Sequence, residues 1–370
     1  MKYRKIINSI GCLFLTAVLL AGCAGREGEE SSPSSENAPP SVLSSSGAPS
    51  SPASSGEAGP SSEEPAPEVP DDPSIEGYFK NSIYIYGDIA LEPFDSGIES
   101  AKDYAKAVSN AKTQLGSGVK VYNLVVPTHI EFALPKRYSD VAASQKENLD
   151  AIHKGYTSDV VPVDVYDILS HKRNEYIYLN TDHHWNGLGA YYAYTEFAKA
   201  AGFTPIDKAS MTKKTIPGLL GSLYDETQVQ AVKNNPDTVE YFQIPGEFSC
   251  MVYSKGSSSA QETTLLHEYA QGKYAYGVFL GGDKPLFVCK NQAPSVKGRK
   301  IAVVKESFGN AFSPFLAPHY EEVHIIDQRY FKQNLKQYVQ QNGISEVLFI
   351  NNIKAANAGI RIQEINNLFK

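Results

Sequence analysis

Cysteine, methionine and tryptophan are scarce: four, three and one in 370 residues. So few cysteines in this length exclude a scaffold held together by disulfides, and no Cys-x-x-Cys pair signals a structural zinc. Basic blocks and stripes are missing too, which argues against phosphate-driven binding; no nucleic acid partner is expected. The longest apolar run, from about residue 10 to residue 21, is shorter than the ~20 residues a transmembrane helix needs. No internal repeat is visible. Residues 1–23 hold three basic groups and no acidic one, whereas residues 24–73 hold one basic group and ten acidic ones. The remaining 297 residues carry 30 basic and 31 acidic groups, so most of the formal net charge of -7 belongs to a tail and the rest is nearly neutral. With 42% hydrophobic residues, the chain is long enough for one large domain or two small ones with a full core.

What is present begins with an address. Lys2, Arg4 and Lys5 precede the apolar run, which ends in Leu20-Ala21-Gly22-Cys23. This ending resembles a bacterial lipobox, which implies cleavage before Cys23 and lipid attachment to its thiol. The expected location is the extracytoplasmic face of the cell membrane, held by that lipid; an ordinary secretory signal with an incidental cysteine is the alternative. Residues 31–70 contain 14 serines and 9 prolines, and no aromatic residue occurs from 24 to 77. Such a stretch buries too little apolar surface to offset its ordering entropy, so residues 24–73 read as a disordered linker. Fifty flexible residues reach roughly 40 Å.

From residue 74 onward, strand and helix patterns alternate. Strands are expected at 119–126, 161–166, 300–304, 322–326 and 346–350, and helices at 98–115, 142–153, 188–201, 331–341 and 360–369. This rhythm predicts an α/β layered sheet, mostly parallel. Residues 241–289 interrupt it: 274–280 and 285–289 flank Gly281-Gly282-Asp283-Lys284 and read as a β-hairpin within a small β-rich insertion at about 215–292. Cys250 and Cys289 fall in that insertion. Export would permit a disulfide between them; two buried thiols are the alternative. Tyrosine and phenylalanine together number 39, and most fall at core spacing, although a carbohydrate cleft would also use such rings.

Two short segments can carry chemistry. Asn180-Thr181-Asp182-His183-His184-Trp185-Asn186 precedes the amphipathic helix from about residue 187. In an extended stretch Asp182 and His184 point to the same side, so the carboxylate can hold the imidazole in one tautomer. His183, between them, could be the base instead, although its side chain would face away from Asp182. The same cluster could instead ligate a metal, or merely cap the helix and pack Trp185. The second segment is Ile301-Ala302-Val303-Val304, then Lys305-Glu306-Ser307-Phe308-Gly309-Asn310 and a helix expected over 311–317. A serine at such a strand-to-helix turn lies where clefts form, beside backbone N–H groups able to bind an oxyanion. Together with Asp182 and His184, Ser307 completes a Ser-His-Asp set.

Asp182-His183-His184-Trp185, with the flanking Tyr176-Ile177-Tyr178-Leu179 and Gly189-Ala190-Tyr191-Tyr192, resembles the DHHW family of bacterial exported proteins. Ser307-Phe308-Gly309-Asn310-Ala311-Phe312 and Asp327-Gln328-Arg329-Tyr330-Phe331 match its later blocks. That family is similar to the SGNH-hydrolase-like domains of the alginate O-acetylation proteins. The resemblance implies a three-layer α/β/α, flavodoxin-like (SGNH-hydrolase-like) catalytic domain over 74–370. It also implies a triad in which Asp182 orients His184 and His184 deprotonates Ser307, in the reverse of the usual SGNH chain order. Glu306 stands where the family has aspartate. Oxyanion donors are expected from the backbone of Ser307 and Phe308, or from Asn351 and Asn352. Trp185, Arg329 and Tyr330 are candidates to line the substrate cleft, with a buried Asp327–Arg329 pair as the alternative for the arginine. The implied reaction is O-acetyl transfer to, or acetyl-ester cleavage from, an envelope polysaccharide, with no cofactor and no metal. A membrane-bound O-acyltransferase is the implied acetyl donor. A lipid-anchored polysaccharide-binding or scaffold protein without catalysis is the alternative, whereas a metal-dependent phosphoesterase lacks the further carboxylates it needs.

Overall fold

The computed structural model describes residues 65–256, 259–293 and 297–370. The signal segment with Cys23, and the linker up to residue 64, lie outside the described residues. The strands in chain order are β1 (Tyr78–Lys80), β2 (Ile83–Tyr86), β3 (Ile89–Leu91), β4 (Lys120–Val126), β5 (Val160–Val163), β6 (Thr212–Leu219) and β7 (Asp237–Gln243). They continue with β8 (Phe248–Tyr253), β9 (Ala260–Thr263), β10 (Leu286–Asn291), β11 (Lys300–Lys305), β12 (Glu322–Asp327) and β13 (Glu346–Asn352).

An eight-stranded sheet in the order β5-β4-β13-β11-β12-β10-β8-β9 forms the centre. Its first five strands are mutually parallel. β13 is buried at every position and β11 at all but its first residue, because helices cover both faces. Alternate residues feed two cores: Ile301, Val303, Leu348 and Ile350 on one face, and Ala302, Val304, Val347 and Phe349 on the other. Helices Tyr166–His171 and Gly187–Ala201 cover the first face. Ile98–Leu115, Gln145–Lys154, Leu335–Gln341 and Gly359–Asn367 cover the second. The architecture is therefore a three-layer α/β/α sandwich.

Numbered from β11, the parallel strands run 2-1-3-4-5 across the sheet, the flavodoxin-like doubly wound order; numbered from β4 they run 2-1-5-3-4. The fold is a circular permutation of that order. Its topological switch point lies between β11 and β13, which are followed by Ser307 and by the helix Ile353–Asn357.

The expected hairpin does not form. Residues Gly272–Val278 make a 3₁₀ helix, and β10 pairs with β8 and β12, so that β8, β9 and β10 continue the central sheet in antiparallel fashion. Gly281 and Gly282, both at positive φ, do turn the chain, but out of a helical turn rather than between two strands. Cys250 and Cys289 meet as direct partners in the β8–β10 ladder, both as buried free thiols. The helix expected over 311–317 is instead a short α-helical turn, Gly309–Phe312, followed by a 3₁₀ segment, Ser313–His319, with Pro314 near its start and Pro318 inside it. β6 and β7 form a separate antiparallel pair whose Ile216, Val239 and Phe242 join the core beneath helix Gly187–Ala201. Among the described residues no helix is long and apolar enough to cross a membrane.

Candidate active site

The Asp182 segment is the tip of a tight loop. Leu179 N–H donates to the His184 carbonyl at 3.1 Å and Asn186 N–H to the Ile177 carbonyl at 2.8 Å, so the chain folds back on itself. Buried Asp237, at the start of β7, accepts from Asn180 N–H (2.6 Å), Thr181 N–H (2.7 Å), Thr181 Oγ1 (2.6 Å) and the Tyr176 hydroxyl (2.5 Å). Asn186 then caps helix Gly187–Ala201 through its side chain. Asp182 and His184 meet through a turn and not through the extended stretch expected. Asp182 Oδ1 accepts both the His184 backbone N–H (3.1 Å) and its ring Nδ1 (2.6 Å), while Oδ2 accepts Ser222 N–H (2.9 Å).

The Ser307 segment leaves β11 directly into the helical turn. Gly309 permits this closeness: a Cβ there would lie 2.5 Å from Lys305 Cβ. Across 123 residues of sequence, Ser307 Oγ stands 2.8 Å from His184 Nε2. With Nδ1 donating to the Asp182 carboxylate, Nε2 is free to accept the serine proton. Burial pushes the Asp182 carboxyl up, but the His184 imidazole, its hydrogen bond, His183 and Ser222 N–H outweigh this and hold it far below the usual carboxylate range. The Tyr276 ring covers the His184 ring in a stack at 4.1 Å and 16°. Phe308 lies against the same imidazole at 5.2 Å.

The other expected residues divide. His183 lies alongside His184, with ring centroids 3.9 Å apart, and its Nδ1 pairs with Ser222 Oγ at 2.7 Å. Burial, then the neighbouring His184, lowers its basicity. Trp185 is fully enclosed and donates to the Phe308 carbonyl at 3.0 Å, so it braces the serine turn instead of lining a cleft. Arg329 gives its donors to Asp327 (2.8 and 2.6 Å) and Asp283 (2.7 Å). Lys305, also buried, bridges the same two carboxylates, so this is a packed ion cluster under the site and not a substrate clamp. Tyr330 is half-buried beneath Lys255 and borders a depression of about 310 Å³ shared with Tyr253, Pro285 and Leu286. Asn351 faces the core, bonded to the Tyr104 hydroxyl and Gln328, and is not aimed at Ser307. Asn352 caps the following helix with its side-chain oxygen and gives its backbone N–H to Glu306; the Phe308 N–H also goes to Glu306.

Ligand atoms of Asp182, His183 and His184 lie within 4.8 Å of one another. A cation there would have to displace the bonds to Ser222 and Ser307 just described. Tyr276, Ser222 and Asp237 escaped sequence reasoning. Each reaches the site by long-range packing, and no local spacing announces it.

The switch-point geometry and the Asp-His-Ser hydrogen-bond chain define an SGNH-like α/β protein. The family model for DHHW proteins matches residues 70–326, and the chain belongs to that family. A crystal structure of a DHHW family protein from Eubacterium siraeum is similar at a TM-score of 0.74 and 30% identity, over 80% of this chain and 98% of that one. Bacillus cereus PatB1 with a sulfonyl adduct is similar at 0.63 and 21%, over 78% and 99%, a likeness of fold. The O-acetyltransferase domain of Pseudomonas putida AlgJ superposes less closely, at 0.43 and 12%, over 79% and 99%. No curated protein matches.

Proposed function

We propose that this protein is a lipid-anchored O-acetyltransferase, or an acetylesterase, acting on a cell-envelope polysaccharide at Ser307. The observation that carries the reading is the continuous chain from Ser307 Oγ through His184 (2.8 Å) to Asp182 (2.6 Å) at the strand ends. Ser307 Oγ attacks an acetyl carbonyl while His184 Nε2 takes its proton, and Asp182 stabilises the imidazolium. The leaving group departs with that proton, leaving acetyl-Ser307. A sugar hydroxyl or water then attacks the ester, giving its proton to His184, and Ser307 is restored. A transferase needs acetyl delivered outside the cell, the role assigned to a membrane-bound O-acyltransferase. The anchor at Cys23 keeps the head beside that donor.

A sulfonyl fluoride and a chromogenic acetyl ester test the reading on purified protein. Labelling forms an Oγ–S bond and expels fluoride; labelling and ester turnover should each fall about 10³-fold or more in Ser307→Ala and His184→Ala. Unchanged rates in both folded variants would end it. One observation favours the second reading, a non-catalytic polysaccharide-binding protein: Glu306 occupies the Phe308 and Asn352 N–H groups. Glycan binding that persists in Ser307→Ala, with no reaction in the parent, would select that alternative.

A further inference from the structure

Ser307 Oγ has a second close neighbour besides His184: Glu306 Oε2 lies 3.1 Å away. Glu306 is buried, and both its oxygens are held. Oε2 accepts Phe308 N–H at 3.2 Å and Oε1 accepts Asn352 N–H at 2.9 Å, so the carboxyl ties the end of β11 to the end of β13 across the switch point. A hydroxyl has one proton, and here it has two candidate acceptors. If the proton points to His184, the contact with Glu306 is a hydrogen bond only when Glu306 itself carries a proton and donates it to Oγ. If it points to an ionised Glu306, the contact with His184 requires an imidazolium that donates to Oγ. The two arrangements contain the same number of protons, and only the first leaves His184 able to act as a base.

We propose that Glu306 is a second acid–base group of the serine site, protonated in the working form, which donates to Ser307 Oγ and so directs the hydroxyl proton to His184. The inference rests on the acyl-serine reading above. During attack the Oγ–H proton passes to His184 Nε2 as the Oγ–C bond forms, and Glu306 keeps its own proton. A neutral carboxyl does not repel the negative charge developing on the acetyl oxygen, whereas a carboxylate 3.1 Å from Oγ would both compete for the proton and oppose that charge.

The surroundings agree. Burial, the largest influence, raises the Glu306 carboxyl above the ordinary glutamate range against the two N–H donors, Arg329 and His183. The groups facing it are Arg329 after β12, His183 on the loop, Tyr104 of helix Ile98–Leu115 and Tyr276 of the 3₁₀ helix. Of these only Arg329 is a permanent charge, and it is shared between Asp327 and Asp283.

The test compares pH profiles of ester kcat/KM and of sulfonyl fluoride labelling for the parent, Glu306→Gln and Glu306→Asp. Glutamine cannot ionise; with its amide nitrogen toward Oγ it keeps a donor to Ser307 but gives up the bond from Phe308 N–H. Its acid-side profile should keep the parent's shape at a lower rate, and the alkaline fall expected of the parent should be lost. Aspartate, one methylene shorter, withdraws from Oγ and should lower the rate at every pH. In parallel, the ¹³C carboxyl resonance of Glu306 in the parent, assigned by its loss in Glu306→Asp, should titrate above the ordinary glutamate range. A Glu306→Gln profile that keeps the parent's alkaline fall, or a resonance titrating at or below the ordinary range, would each overturn the proposal. Failure of the underlying reading looks different: the parent neither turns over ester nor takes the label at any pH.

Discussion

At the residue scale the candidate site is held by groups outside the Asp182–His184–Ser307 chain. Asp237 gathers four donors from Tyr176, Asn180 and Thr181, and the loop bearing Asp182 and His184 hangs from it. Asp237→Ala would leave buried N–H groups without an acceptor. It should cost about 3 kcal/mol or more of stability in urea denaturation, with turnover falling alongside. An Asp237→Ala variant as stable and active as the parent would refute this anchoring role. The Glu306 side chain spans from Ser307 to the backbone of Asn352.

At the element scale, two turns must approach within van der Waals contact. Gly221, just before helix Ser222–Thr227, is one of the contact points: a Cβ there would stand 2.2 Å from Asp182 Cβ. Gly221→Ala should displace the carboxylate from His184 and lower kcat/KM by about tenfold or more, while the circular dichroism spectrum stays unchanged. Equal kinetics would mean that the Asp182 geometry tolerates the shift. The regular elements were mostly legible in sequence. The helix expected over 98–115 is observed as Ile98–Leu115, and strands expected at 300–304 and 322–326 are observed as Lys300–Lys305 and Glu322–Asp327. Residues 274–280 misled because an aromatic, β-branched run before Gly-Gly suits a strand locally. The backbone there instead turns as a 3₁₀ helix, and Tyr276 stacks on His184.

At the scale of the whole molecule, three histidines are held neutral by burial: His129, His319 and His324, each lowered to about 4. Their unfolded forms bind protons more readily between roughly pH 6.5 and 4, so stability is full above that window and declines as pH falls through it. The raised carboxyls of Glu131, Asp237 and Glu306 act in the opposite direction. The expected net result is a Tm several degrees lower at pH 5 than at pH 7 in a thermal scan; a flat or rising Tm would contradict it. The circular permutation accounts for the chain order of Asp182, His184 and Ser307. Asp182 and His184 follow β5, the fifth strand when counting starts from β11, and Ser307 follows the first.

From sequence alone, the layered α/β class, the main strands and the identity of Asp182, His184 and Ser307 could be read, because these are written in local periodicity and short motifs. The strand order, the antiparallel extension through β10, and the contacts of Asp237, Tyr276 and Glu306 were decided by tertiary structure. Trp185 and Arg329 could each be read as a cleft residue or as packing, and tertiary structure makes the one a brace and the other part of an ion cluster. Which side chain meets which carboxyl depends on register and packing between segments far apart in sequence, and no single window of sequence contains that information.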